Sequence, residues 1–398
     1  MSELRDELVA GIHASREKFE SAGDRAEELR TLPHDAVALL RSLGLFWLKT
    51  PAELGGTPLP PVEFCDVIEE LAYVDTSTAW AAMIGAGCNG LAGGWLPEEG
   101  AHRVFGNASD AVRPVIAGQL APRGTGHPVK GGYLVSGRWA FSSGIVHADW
   151  IIGAFKPDGD DPGTSGGGEL PAEHGAADTG FGRMVVFVAP RDDADVIDTW
   201  HVAGLQGTGS LDFRLSDVFV PASMTYVRGG PAFRGGALSK QPGHLFVDNE
   251  VPPLAVGLAR RALSDVAELS GRTARFPGEA TLRERAAFHS EIGRAWARVR
   301  AARAVYREAI SSAWAATPTG AEVPARLLTD AATASVYTVE TCAEVVADLF
   351  RYGGPGVVAD QRPAAAPAGR AGRPAARVGV RGALRGGRTR AVAVSEGH

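Results

Sequence analysis

Lysine is scarce in this chain of 398 residues: five stand among 40 basic side chains, the rest being arginine. Together with abundant Ala and Gly, this points to GC-rich coding. Cysteine is scarcer still. Cys65, Cys88 and Cys342 are odd in number, widely spaced and in no CxxC pair, which excludes a disulfide framework or a thiolate metal site and fits a reducing, cytoplasmic setting. No run approaches the ~20 apolar residues a membrane helix needs. The opening "MSELRDELVAGIHASREKFESAGD" is charged and helix-periodic, without the apolar core of an export signal, so no membrane partner is expected.

Other chemistries are absent as motifs. The ten His residues show no HExxH or related spacing, and no metal is expected. There is no GxSxG elbow and no Walker A lysine. "GLQGTGS" resembles a phosphate loop, but it is read as lying between two strands, not ahead of a helix. A net charge of -6 gives no general attraction to phosphate backbones, so nucleic acid is not an expected partner.

What is present is an ordinary globular composition, 45% hydrophobic and 22% charged, long enough for several domains. Residues 1–112 read as helical: "RTLPHDAVALLRSLGLFWL" and "PPVEFCDVIEELAYVDTSTAWAAMIGAG" carry apolar residues at i, i+3, i+4 and i+7, with Pro and Gly between them. Over residues 113–228 the period changes to short β-branched or aromatic runs bounded by Gly, Pro and Asp, the pattern of a central β domain. Within it, residues of about 157–180 are poor in large apolar side chains and read as a flexible loop. Residues 229–354 return to long Ala- and Arg-rich amphipathic helices, a C-terminal helical bundle. Residues 355–398, including "PAGRAGRPAARVGVRGALRGG", hold few side chains large enough to pack and read as a disordered tail.

One stretch concentrates candidate chemistry. "GGYLVSGRWAFSSGIVHADW" brings Trp139, Phe141, Ser142, Ser143 and Gly144 to the end of one strand, with His147 just before the next. Aromatics beside small hydroxyls can form a flat apolar wall with hydrogen-bond donors, as a flavin ring requires. Taken alone, a hairpin with core aromatics and a Ser-Gly turn is the simpler account.

The order of helices, β domain and helices, with "GGYLVSGRWAFSSG" and "WHVAGLQGTGSLDFRLSDVFVP", resembles the acyl-CoA dehydrogenase fold. More closely, it resembles that fold's flavin-dependent monooxygenase branch, the oxygenase components of two-component hydroxylases. The resemblance implies an α+β multi-domain architecture with an N-terminal helical domain, a central β-barrel or sandwich and a C-terminal bundle. It also implies reduced FMN or FAD delivered by a separate flavin reductase, O2, a flavin C4a-hydroperoxide that oxygenates a small-molecule substrate, and a homotetramer.

Residue by residue, the resemblance sets Trp139, Phe141 and Gly144 against the flavin, with Ser142 or Ser143 near its N5. Gly118, Gly124 and Thr125 in "AGQLAPRGTG" would line the ring, and Trp200, Thr208 and Ser210 would form a second cofactor-side loop. Ser77 and Trp80 in "DTSTAW" would face the substrate, and Arg272 or Arg275 would meet the flavin phosphate. His147 could assist substrate deprotonation or simply pack against a strand. An acyl-CoA dehydrogenase of the same fold is the alternative. It would need a Glu base near the last helices, where only Glu344 precedes "ADLFRYGGPG". A non-catalytic scaffold or a nucleic-acid binder using the basic tail is a third reading.

The family's segment after "FRYGG" contains an "LQR" motif and a helix ending near a flavin-side His, and neither is visible here. Synonymous codons for residues 361–391 can be chosen so that the frame one nucleotide onward reads "LQRHLRD" followed by a helix-periodic segment with that His. A frame change near Gly353 and Gly354 is therefore expected, and resequencing the 3′ end of the gene would test it.

Overall fold

The computed structural model describes residues 2–107, 113–158, 184–242, 245–246, 250–271, 280–317 and 323–352. The expected loop at 157–180 falls almost wholly outside the described residues, and Arg272, Arg275 and the tail at 355–398 fall entirely outside them.

Six helices open the chain: α1 (Glu3–Ala14), α2 (Arg16–Leu29), α3 (His34–Ser42), α4 (Pro61–Val74), α5 (Thr76–Trp95) and α6 (Glu98–Phe105). Helix α5 is the central one and is buried on nearly every side. Its sequence, rich in Gly and Ala, makes that possible: a Cβ on Gly85 would sit 2.5 Å from the Phe46 ring, and one on Gly93 would sit 2.7 Å from Pro51. Close approach of neighbours thus replaces bulky side chains as the source of packing. The Asp75 carboxylate accepts from the Thr78 amide at 2.7 Å and starts α5 with an N-cap. Two residues into the helix comes Ser77, and Trp80 follows at i+3 on the same face.

Seven strands follow: β1 (Ile116–Val129), β2 (Gly132–Ser142), β3 (Trp150–Pro157), β4 (Val185–Pro190), β5 (Asp195–Ile197), β6 (Leu211–Pro221) and β7 (Thr225–Val227). They pair in the order β5-β6-β2-β1-β3-β4-β7, with β1 and β3 parallel and the remaining pairs antiparallel. Trp139 on β2 and Phe187 on β4 have ring centroids 5.2 Å apart although two strands separate them in the sheet. The sheet therefore curls around a shared aromatic interior, in a barrel-like form. Irregular register between Gly118 and Gly124 bends β1 at that point.

Helices then resume as α7 (Gly236–Ser239), α8 (Val251–Ser270), α9 (Ala286–Ala316) and α10 (Ala325–Phe350). A layer of charge joins this set to α4: Arg260 meets Glu69 and Glu70, while Arg303 and Arg307 meet Asp66. Asp66 and Glu69 are buried, Glu70 and the arginines only partly so, which keeps each buried carboxylate paired. Deeper inside, Lys49 Nζ reaches Glu250 Oε1 at 2.5 Å and lies over the Phe64 and Phe246 rings.

Among the side chains that tie the sheet to the first helices are Asn89 and Arg41. Asn89 on α5 donates to the carbonyls of Phe46 and Pro114 and accepts from the Ile116 amide, each at 3.0 Å. Arg41 on α3 donates to the Arg113 carbonyl and to Asp149 Oδ2.

Candidate active site

The end of β2 turns sharply, and two backbone features set the turn. Phe141 has φ +63°, an uncommon conformation for a bulky side chain, and Gly144 has φ +82°, which glycine adopts without strain. The Phe141 amide points to Asp212 Oδ1 at 3.4 Å, and Asp212 itself holds Arg138 and Thr199. The Gly144 amide donates to the Thr208 carbonyl at 2.9 Å, pinning the turn to the loop between β5 and β6. As a result, the Phe141 side chain is 66% exposed on the outside of the sheet. The Trp200 ring meets it edge-on at 6.1 Å.

The same turn carries a row of hydroxyls. Trp80 Nε1 donates to Ser143 Oγ at 2.8 Å, Ser143 Oγ is 2.6 Å from Ser210 Oγ, and Ser210 Oγ is 2.6 Å from Thr208 Oγ1. Ser142 is fully buried, yet its Oγ has no hydrogen-bond partner. An orphaned buried hydroxyl is uncommon and calls for a partner. The loop seats against α5, since a Cβ on Gly207 would lie 3.2 Å from Ser77 Cβ. Ser77 is therefore buried beneath the loop, and Trp80 is half-buried beside it.

A flavin ring needs a flat apolar surface and a few hydrogen-bonding groups along one edge. Phe141, the orphaned Ser142 hydroxyl and the Ser143 row supply both, so these residues fit a flavin. When bound, it supplies the two-electron chemistry with oxygen that side chains lack. Among the described residues, no cluster of His, Cys, Asp or Glu could hold a metal ion.

Several expected ring-lining residues have a different place. Trp139 is fully buried inside the barrel, stacked on Phe213 at 4.9 Å and donating to the Ala154 carbonyl. Its contacts in this structure are those of a core residue. Gly124 lacks a side chain because the Trp139 indole occupies that space: a Cβ there would lie 2.4 Å from Cζ2. Gly118 packs directly on the Ile152 carbonyl, where a Cβ would lie at 1.9 Å. Thr125 is exposed, paired across strands with Ser136.

His147 stands behind the turn with its ring 5.9 Å from Phe46. The residue is partly exposed, but both ring nitrogens are buried and without hydrogen-bond partners. Burial, reinforced by the Arg41 charge, pushes its pKa down to about 4. It is neutral at physiological pH and a weak base. Glu344, the carboxylate that a dehydrogenase reading would require, is 67% exposed on α10 and pairs with Arg298. The three cysteines are buried and in no disulfide, Cys65 Sγ lying 3.1 Å from the Tyr306 hydroxyl, and burial pushes their thiols up to about 12.

Two participants carried no sequence signal. The Leu205 carbonyl, which accepts from Thr208 Oγ1, is a backbone atom. Asp212, buried on β6, could have been suspected only as an acid in an otherwise inward-facing strand position.

Comparisons with known proteins bear on the family and the fold. Residues 11–93 match the family described as acyl-CoA dehydrogenase, N-terminal domain, and residues 252–363 match acyl-CoA dehydrogenase, C-terminal domain. Indole-3-acetate monooxygenase of Pseudomonas putida is 29% identical over 317 residues, covering 79% of this chain and 75% of that protein. The oxygenase component of an FADH(2)-dependent resorcinol hydroxylase from Rhizobium sp. is 30% identical over 281 residues, 67% of this chain and 63% of its own. The crystal structure of 3-HSA hydroxylase from Rhodococcus sp. RHA1 superposes with TM-score 0.80 at 26% identity, over 97% of this chain and 95% of that one. The chain belongs to the acyl-CoA dehydrogenase family, among its flavin-dependent monooxygenases.

Proposed function

We propose that this chain is the oxygenase component of a two-component system that hydroxylates, or N-oxygenates, a small aromatic or natural-product intermediate. Reduced FMN or FAD comes from a separate reductase. One atom of O2 enters the substrate, the other leaves as water, and the reduced flavin provides the two electrons. The chain acts in the cytoplasm as a homotetramer. Among the described residues, no helix is long and apolar enough to cross a membrane.

The observation that carries this reading is the exposed Phe141 at the same turn as Ser143, whose hydroxyl is held by Trp80 and joined to Ser210. These residues can do three things. Phe141 and Trp200 offer apolar surface that keeps water from one side of a flat ring. Ser143 and Ser142 offer hydroxyls at the turn. Trp80, on a helix of the first domain, holds Ser143 from the substrate side. A dehydrogenase is disfavoured because Glu344 lies on the solvent face of α10 and is paired with Arg298.

The test is to supply FMN or FAD reduced by a separate reductase, with 18O2 and a panel of phenols, indoles and amino sugars. A product heavier by one 18O atom is expected. Bleaching of oxidised flavin by an acyl-CoA, with no oxygen incorporated into any member of the panel, would overturn the proposal in favour of a dehydrogenase.

A further inference from the structure

The hydroxyls of Ser143, Ser210 and Thr208 can share their protons in only two ordered ways. Each hydroxyl has one proton and two lone pairs, and an indole nitrogen donates but never accepts. Trp80 therefore donates to Ser143 in either arrangement. In the inward arrangement Ser143 donates to Ser210, Ser210 to Thr208, and Thr208 to the Leu205 carbonyl at 2.9 Å. Ser143 then accepts only from Trp80 and keeps one lone pair for an outside donor.

In the outward arrangement the two hydroxyl–hydroxyl bonds reverse and the Thr208 bond to the Leu205 carbonyl is given up. Thr208 donates to Ser210, and Ser210 donates to Ser143. Ser143 now accepts twice, and its own proton must leave the row. The Leu205 carbonyl makes this second arrangement competitive. It already accepts from Trp200 Nε1 at 3.1 Å and from the Thr208 amide at 3.1 Å. A carbonyl oxygen has two lone pairs, so the Thr208 hydroxyl is a third donor there. The inward state crowds Leu205, and the outward state asks for an acceptor beyond Ser143.

We propose that Thr208 and Ser210 are positioning residues that act through Ser143, letting it accept from the N–H of a reduced flavin ring and donate to the bare nitrogen of the oxidised ring. The inference rests on the flavin reading above. Flavin N5 carries a proton when reduced and a lone pair when oxidised, so a fixed donor or a fixed acceptor would suit one state only. A reversible row suits both, and it reverses by rotating three hydroxyl protons with no heavy-atom movement. Trp80 stays a donor throughout and anchors the end of the row.

Thr208→Val keeps the shape of residue 208 and removes its hydroxyl. Donation from Ser143 to Ser210 would then leave the buried Ser210 proton without an acceptor, so the row is held outward. The variant should weaken reduced flavin relative to oxidised flavin by roughly 3- to 10-fold, the worth of one hydrogen bond. The ratio of dissociation constants for the two forms is measured anaerobically by fluorescence titration with FMN and FAD, and the bound flavin's potential should fall accordingly. Thr208→Ser should restore the wild-type ratio, which a purely structural role would not require. With 15N-Trp labelling, the Trp80 indole signal should shift differently on adding oxidised and reduced flavin. If wild type binds flavin but Thr208→Val leaves the ratio unchanged within twofold, the inference is overturned and the flavin reading stands. If wild type binds neither form, both fall.

Discussion

Trp80 Nε1 donates to Ser143 Oγ at 2.8 Å across sixty-three residues of chain, joining a helix of the first domain to the strand end of the second. Everything ascribed to the site depends on that seam staying closed. Replacing the indole by Phe keeps most of the packing and removes the donor. Trp80→Phe should cost about 1 kcal/mol in chemical denaturation and should raise the fraction of reducing equivalents lost as hydrogen peroxide. Unchanged stability and unchanged peroxide yield would show that the contact contributes to neither.

His147 makes folding stability depend on acid. In the folded chain it stays neutral down to about pH 4, whereas an unperturbed imidazole takes up its proton near 6.5. Between those values the unfolded state binds more protons, so stability is fully present above pH 6.5 and is lost as the pH falls toward 4. His147→Phe should flatten this decline by about 2 kcal/mol, discounted from the full shift because the ring is partly exposed. Denaturation midpoints at pH 7.5 and 5 would check it, an identical pH slope in the two proteins being the contrary result.

Trp139 is a core residue of the barrel. Trp139→Phe should destabilise by about 2–4 kcal/mol, through the lost indole donor and the space left between Gly124, Gly137 and Gly153. Gly124→Ala should cost about 1–3 kcal/mol by overpacking the same slot. Thermal melts of both should fall together. Flavin affinity lost from Trp139→Phe without any loss of stability would return Trp139 to the ring-facing surface.

Lys49 and Glu250 are 6% and 4% exposed, a charge pair inside the helical layers. Lys49→Met alone should cost about 3–5 kcal/mol, because Glu250 loses its buried cation. Adding Glu250→Gln should recover much of that loss. Additive losses in the double variant would show that the two side chains are not coupled.

The legible part of the fold was its periodicity. The i, i+3, i+4 spacing of residues 60–95 and the short aromatic runs after Val115 gave helix and strand in the right order, because each element buries one face and its sequence records that face. "DTSTAW" also carried its meaning locally: Asp75 is a cap whose partner lies three residues away, and Ser77 and Trp80 share a helical face.

Ring-facing positions were less legible. Trp139 and Phe141 are two apart on one strand, and alternation alone would set them on the same side. Phe141 turns outward because its φ is +63°, a departure from strand geometry that no residue type announces. Gly124 is expected from the resemblance to line the ring, and the structure adds that the Trp139 indole fills the space beside it.

The sequence by itself determined the architecture, the family and the two stretches that meet at the site, since periodicity, caps and motifs act over a few residues. Tertiary structure alone decided which hydroxyls stand in a row, that Trp139 lies inside the barrel, and that the Leu205 carbonyl is shared by three donors. Those depend on ångström-scale distances between residues far apart in the chain, set by how α5, the end of β2 and the loop before β6 close on one another.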